Sequence, residues 1–174
     1  MTISGKPPRF HQGNALYFLT FCTYKRLALL HYTGIPEVLI DNLRVYSKRL
    51  EELIAYTIMP DHIHLLVSVQ NASDLSAFLR DFKKWTAMEI NLRIKSDGLP
   101  VWQRGTMDHC IRNSESSNDL DNHLLYLFSN SWKHLGIAPR DFPYHNFSEM
   151  VANGWLEEDF CDFTNDELQK RYEL

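Results

Sequence analysis

The sequence predicts an α+β fold built on a split β-α-β sheet, and three observations carry that reading. Short runs rich in aromatic and β-branched residues alternate with two segments of helical period, in the order β-α-β-β-α-β. Only Pro60 and Asp61 separate the second and third of these runs, so the two strands form a tight antiparallel hairpin. A third helical segment follows the last strand and adds to the six-element pattern.

Each element has its own signal. Residues 15–23, ALYFLTFCT, form the first strand, followed at once by the basic pair Lys25 and Arg26. From Gly34 to Leu50, Ile35, Val38, Leu39, Leu43, Tyr46 and Leu50 recur every three or four positions, a helix with Pro36 in its first turn. The hairpin strands are LIAYTIM, residues 53–59, and HIHLLVSV, residues 62–69. Ser73 or Asp74 caps a second helix with Leu75, Phe78, Leu79, Phe82, Trp85, Met88 and Leu92 along one stripe. Residues 101–112, VWQRGTMDHCIR, alternate loosely, as a bent or edge strand does. Asn118 or Asp119 then opens a helix that stops near Gly136. The expected architecture is ferredoxin-like, an antiparallel sheet of four to five strands with helices on one face and an added helix that carries Tyr126. One domain is expected, its main body over residues 1–140 and an extension over residues 141–174 packed on or near it as loops and short helices.

Composition bounds the function. The 174 residues are 44% hydrophobic and 23% charged, an ordinary globular balance. No apolar stretch approaches the roughly 18 residues of a membrane span, and the polar, proline-containing start does not resemble a secretory signal, so a cytoplasmic location is expected. Cys22, Cys110 and Cys161 are widely spaced and odd in number, which suits neither a disulfide framework nor a paired zinc signature. The net charge of -4 hides a division: residues 1–140 hold 16 Lys and Arg against 13 Asp and Glu, whereas residues 141–174 hold 2 against 9. A mildly basic body with an acidic end permits nucleic-acid binding without requiring it.

The chemistry concentrates in two short patterns. His62 and His64 flank Ile63 in a strand, so both imidazoles point to one face with Cα atoms about 7 Å apart, close enough to share one divalent cation. A bare His-x-His is nonetheless more often two surface or hydrogen-bonded histidines than a metal site. Tyr126 and Asn130 are spaced i to i+4 and share a helix face, offering a nucleophile and a further ligand; taken alone, each is more simply a core or half-buried aromatic and a polar residue near a helix end. Lys25, Arg26, Arg80, Lys83, Lys84, Arg104 and Arg112 are candidates for phosphate contact, with Trp102 as a base-stacking surface; the alternative for each is a solvated or amphipathic face.

Context gives these patterns meaning. The segment YTIMPDHIHLLV resembles the Met-Pro-Asn/Asp-His-x-His signature of the HUH transposases with a single catalytic tyrosine, with Ile63 as the bulky apolar residue between the histidines. DLSAFLRDFKKWTAMEIN, VWQRGTMDHCIR with Asp108 and His109, and DFPYHNFSEMVANGWLEEDF are similar to the branch called REP-associated tyrosine transposases, so the likeness runs through most of residues 15–160. It implies that Tyr126 is the nucleophile, that Asn130 completes a metal site with His62 and His64, and that the metal is Mg²⁺ or Mn²⁺. Two departures stand out: Ser131-Trp132 follow Asn130 where the family usually has proline, and Thr106-Met107 stand where relatives commonly carry aromatics.

The implied reaction is cleavage and rejoining of single-stranded DNA hairpins, REP-type palindromes, through a 5′-phosphotyrosine and a free 3′-OH. A covalent intermediate keeps the bond energy, so a different 3′-OH can be joined without ATP. Tyrosine's phenol, with a pKa of about 10 in peptides, needs metal-assisted orientation or a nearby base. A hairpin-binding protein that has lost catalysis and a metal-dependent hydrolase that uses water are the other readings. Both a homodimer, with the tyrosine helix serving the partner's histidines, and a monomer are compatible with the resemblance.

Overall fold

A computed structural model describes residues 15–111 and 119–162. In chain order these form β1 (Ala15–Cys22), α1 (Ile35–Tyr46), β2 (Glu52–Ile58), β3 (His62–Val69), α2 (Ala72–Arg93), β4 (Met107–Ile111), α3 (Asp119–Leu135) and α4 (Phe147–Ala152). The sheet has four strands in the order β2-β3-β1-β4, every neighbouring pair antiparallel. Each helical crossover therefore skips one place: β3 fills the gap between β1 and β2, and β1 fills the gap between β3 and β4.

Two elements are shorter than their sequence patterns. At the end of α1 the chain tightens into a 3-10 turn over Ser47–Arg49, which delivers Leu50 to the core as an extended residue. The run expected as a strand over residues 101–112 pairs with β1 only over Met107–Ile111. Trp102 makes an isolated bridge to Thr23 instead, and Gly105, at φ 82°, turns the chain between the two segments in a conformation that other residues rarely adopt. Asn118 and Arg112 lie outside the described residues.

Both faces of the sheet are covered. Leu19 and Phe21 of β1 and Ile63, Leu65, Val67 and Val69 of β3 pack against α1 and α2. On the opposite face, Leu16, Phe18 and Leu66 meet Leu124, Leu125, Leu127 and Phe128 of α3, together with Phe147, Met150, Leu156 and Phe160. All eight residues of β3 are buried, because it is a central strand with a helical layer on either side. The added helix thus lies on the face away from α1 and α2, and the chain up to Cys161 contributes to its core.

The segment after α3 also braces the sheet edge. The register of β2 against β3 shifts between Leu53 and Ala55. Asn146 spans this irregularity: its Oδ1 accepts from the Tyr56 N–H at 2.9 Å, and its Nδ2 donates to the Ile54 carbonyl at 2.9 Å. A buried amide so satisfies backbone groups that a bulge would otherwise leave unpaired.

Candidate active site

Alternation along β3 sends Ile63, Leu65 and Val67 towards α1 and α2, and so turns His62, His64 and Leu66 towards α3. Both imidazoles are buried, at 4% and 3% exposure, with ring centroids 4.8 Å apart. Each is anchored through Nδ1. That of His62 lies 2.6 Å from Asp61 Oδ1, and that of His64 lies 2.7 Å from Thr20 Oγ1 on the neighbouring strand. A carboxylate can only accept, so the His62 Nδ1–H donates to it. Asp61 is itself held by Arg26, 2.8 Å away. Burial holds the His64 pKa well below the ordinary imidazole range; the nearby His62 pushes it the same way, and the Asn130 amide opposes both. His64 is neutral at pH 7, as a metal ligand must be.

Helix α3 presents Tyr126 and Asn130 to these rings. The Tyr126 ring meets His64 edge-on at 5.3 Å between centroids and Phe18 at 5.9 Å, all within one subunit. Asn130 Nδ2 donates to the Tyr126 carbonyl at 2.6 Å, an i to i−4 bond that leaves Oδ1 free of its own helix. Among the described residues, both Asn130 Oδ1 and His64 Nε2 are buried without a hydrogen-bond partner. Thr57 Oγ1 is buried in the same condition, on the residue paired with His64 across β2 and β3. Unpartnered buried lone pairs cost about 1–3 kcal/mol each, so they call for a bound ion or water. Two imidazole nitrogens and an amide oxygen fit a divalent cation on these grounds.

Two neighbours escaped the sequence reading. Lys133 Nζ lies 5.8 Å from the centroid of the Tyr126 ring, and the His134 ring lies 5.6 Å from that of His62. Burial, followed by His62, lowers the His134 pKa. The signal was present as spacing, since positions i+7 and i+8 from Tyr126 continue the face that Asn130 occupies.

The basic candidates divide between the two faces. Arg26 belongs to the site through Asp61, and Lys25 precedes it in a 3-10 turn; both have positive φ, 54° and 57° for Lys25 and Arg26. Lys83, Lys84 and Trp102 belong instead to the α2 layer. Lys83 Nζ donates to the Gly105 carbonyl at 2.5 Å and to Thr106 Oγ1 at 2.9 Å, and burial lowers its pKa. Lys84 is exposed beside Trp85. The Trp102 indole donates to Thr86 Oγ1 at 3.0 Å and packs against Phe21 and Phe82, so much of the ring is spent on the core. Arg80 pairs with Asp81, and Arg104 is exposed before β4. Arg112 lies outside the described residues. Among the described residues, no helix is long and apolar enough to cross a membrane.

The sequence model of a family described as "Transposase IS200 like" matches residues 12–110. The chain belongs to the IS200-like transposase family. The match takes in β1, β2 and β3 with the His62–His64 pair and all of β4 but its last residue, and it ends before α3, so Tyr126 and Asn130 lie beyond it. Two relatives carry the name of the REP-associated branch that the motifs resemble. This IS200-like chain is 33% identical over 119 residues to a Haemophilus influenzae protein provisionally named a REP-associated tyrosine transposase, covering 63% of this chain and 66% of that one. It is 24% identical over 160 residues to the REP-associated tyrosine transposase of Escherichia coli K12, covering 91% and 92%. Its fold is similar to that of a solved REP-associated tyrosine transposase bound to a REP hairpin, with TM-score 0.67, 23% identity, and coverage of 93% and 92%.

Proposed function

We propose that this chain is a metal-dependent transposase and endonuclease that cleaves and rejoins single-stranded DNA hairpins of the REP type, acting in the cytoplasm. One observation carries the reading: the Tyr126 ring centroid stands 5.3 Å from that of His64 in the same chain, beside His64 Nε2 and Asn130 Oδ1, which are buried without a hydrogen-bond partner among the described residues. His62, His64 and Asn130 would hold Mg²⁺ or Mn²⁺, which when bound supplies charge neutralisation at the non-bridging phosphate oxygens. Tyr126 Oη attacks phosphorus, losing its proton; the new O–P bond replaces the bond to the departing 3′ oxygen, which leaves protonated as a 3′-OH. The 5′-phosphotyrosine then passes the strand to another 3′-OH by the reverse exchange.

The remaining residues position the partners. Asp61 and Thr20 set the imidazole orientations, and Phe18 and His64 bound the tyrosine ring. Arg26 and Lys133 place positive charge beside the histidines and the tyrosine, where a phosphate would sit; Lys25, Lys84 and Arg104 offer weaker contacts farther along a strand. The body over residues 1–140 is the transposase domain, and the acidic extension from residue 141 completes its core on the tyrosine side. A monomer suffices for cleavage, because both halves of the site come from one chain.

A labelled hairpin oligonucleotide incubated with Mn²⁺ should yield a covalent protein–DNA adduct that is absent from Tyr126→Phe. An adduct that persists in that variant removes Tyr126 from the role. Cleavage without an adduct assigns the attack to water, and hairpin binding without cleavage in any divalent metal reduces the protein to a binder.

A further inference from the structure

We propose that His109, Asp119 and His123 form a second divalent-cation site, suited to zinc-class ions, that ties the first turn of the Tyr126 helix to edge strand β4. His109 stands opposite Phe18 in the β1–β4 pairing, and Phe18 packs towards α3, so His109 faces the same side. Asp119 and His123 are one turn apart at the start of α3, the i to i+4 spacing that turns two helical ligands to one side. Each residue offers one ligand atom, and the three lie within 4.8 Å of one another.

The distances are those a cation would use. Ligands about 2.1 Å from a tetrahedral ion stand about 3.4 Å apart. His109 Nε2 is 3.8 Å from Asp119 Oδ2, and His123, whose Nδ1–H donates to the Asp119 backbone carbonyl at 2.7 Å, keeps Nε2 as its ligand nitrogen. The two imidazoles are stacked, with ring centroids 5.0 Å apart and planes 13° from parallel. Among the described residues these imidazoles stand within 4 Å of the Asp119 carboxylate, and no lysine or arginine pairs with it. Side-chain exposures of 59%, 30% and 20% for His109, Asp119 and His123 let a hydrated ion enter and leave room for water as a fourth ligand.

This site is separate from the first. The Phe18 ring has His64 on one side, 5.3 Å away, and His123 on another, 4.9 Å away, so an apolar ring stands between the two donor sets. Their chemistry also differs. Two imidazoles with a carboxylate favour Zn²⁺, Co²⁺ or Ni²⁺ over Mg²⁺, which prefers an oxygen shell and sheds water reluctantly. Because Tyr126 is three residues beyond His123, an occupied site would fix where the phenol stands. That consequence rests on the proposed role of Tyr126, whereas the binding does not.

Zinc content of the full chain after dialysis against a weak chelator tests this directly. The His62→Gln/His64→Gln variant should retain about one Zn²⁺ per chain and lose it when His109→Gln and His123→Gln are added. In parallel, His109→Gln/His123→Gln should hold about one Zn²⁺ fewer per chain than the wild type. Asp119→Asn should raise the zinc dissociation constant at least about tenfold. Zinc content that is the same with and without His109 and His123, in chains whose far-ultraviolet circular dichroism is unchanged, overturns the site. A wild-type protein that forms no DNA adduct leaves this readout intact, so the two proposals fail separately.

Discussion

Thr20 and His64 face each other across the β1–β3 pair, and the Thr20 hydroxyl holds His64 Nδ1 at 2.7 Å. The hydrogen bond fixes the ring so that Nε2, not Nδ1, is turned away from the sheet neighbour, and leaves that nitrogen buried without a partner among the described residues. A second support of the same kind, Asp61 to His62, orients the other imidazole. Pre-set rings cost a cation little reorganisation, which is why such supports count in metal affinity.

Thr20→Val keeps the shape of the side chain and removes the anchor. Mn²⁺ affinity should fall by about 10–100-fold, while stability in EDTA changes by only about 1–2 kcal/mol. Titration calorimetry beside urea unfolding separates the two effects, and Thr20→Ser should restore binding. Undiminished affinity in Thr20→Val would show that the hydroxyl does not set the ring.

Asn130→Leu should divide stability from function. The variant loses the 2.6 Å bond to the Tyr126 carbonyl and also the buried, unpartnered Oδ1. The second change outweighs the first, so the metal-free protein should gain about 1 kcal/mol while divalent-metal affinity drops. A loss of several kcal/mol in EDTA would mean that Oδ1 is satisfied in solution by some group of the protein.

His145 makes stability depend on pH. It is half-buried among the rings of Phe128, Phe142 and Phe147; its Nε2–H donates to the Pro139 carbonyl at 2.5 Å, and its Nδ1 accepts from the Phe147 N–H at 3.2 Å. Protonation would destroy the second bond, and burial lowers the pKa. Above about pH 6.5 both folded and unfolded chains are neutral here. Below it the unfolded chain takes up a proton first, so stability falls with pH, by at most about 1.4 kcal/mol per unit for this group. His145→Gln should flatten the decline between pH 6.5 and 5 in urea unfolding with EDTA; an unchanged slope would assign it to the other depressed histidines, His64 and His134.

Asn146→Ala should cost about 2–4 kcal/mol, since it strips two hydrogen bonds from the backbone of β2 and leaves buried groups behind. The same contact means that removing residues 141–174 should lower the thermal midpoint sharply. Truncation that left stability untouched would show the extension to be an independent appendage.

The legible parts of this protein were those governed by local rules. The His62–Ile63–His64 alternation, the hairpin at Pro60-Asp61 and the i to i+4 pair of Tyr126 and Asn130 each follow from backbone geometry within a few residues, so the pattern on paper is the pattern in space. Trp102 stood as a candidate base-stacking surface; Gly105 ends the strand-like run that carries it, and the indole turns to Thr86. Lys83 read as a solvent-facing cation for a similar reason, and its ammonium is taken up by Gly105 and Thr106, which no helical periodicity could announce.

The amino-acid order alone set the strand and helix identities, the shared face of the two imidazoles and the likeness to a transposase family, because periodicity and short motifs are properties of neighbouring residues. Only the tertiary fold decided that α3 lies on the histidine side of the sheet, that Thr20 and Asp61 orient the rings, and that His109 from β4 meets Asp119 and His123 from α3. Those contacts join positions far apart in the chain, and their partners are selected by which faces bury together, which depends on the whole packed arrangement.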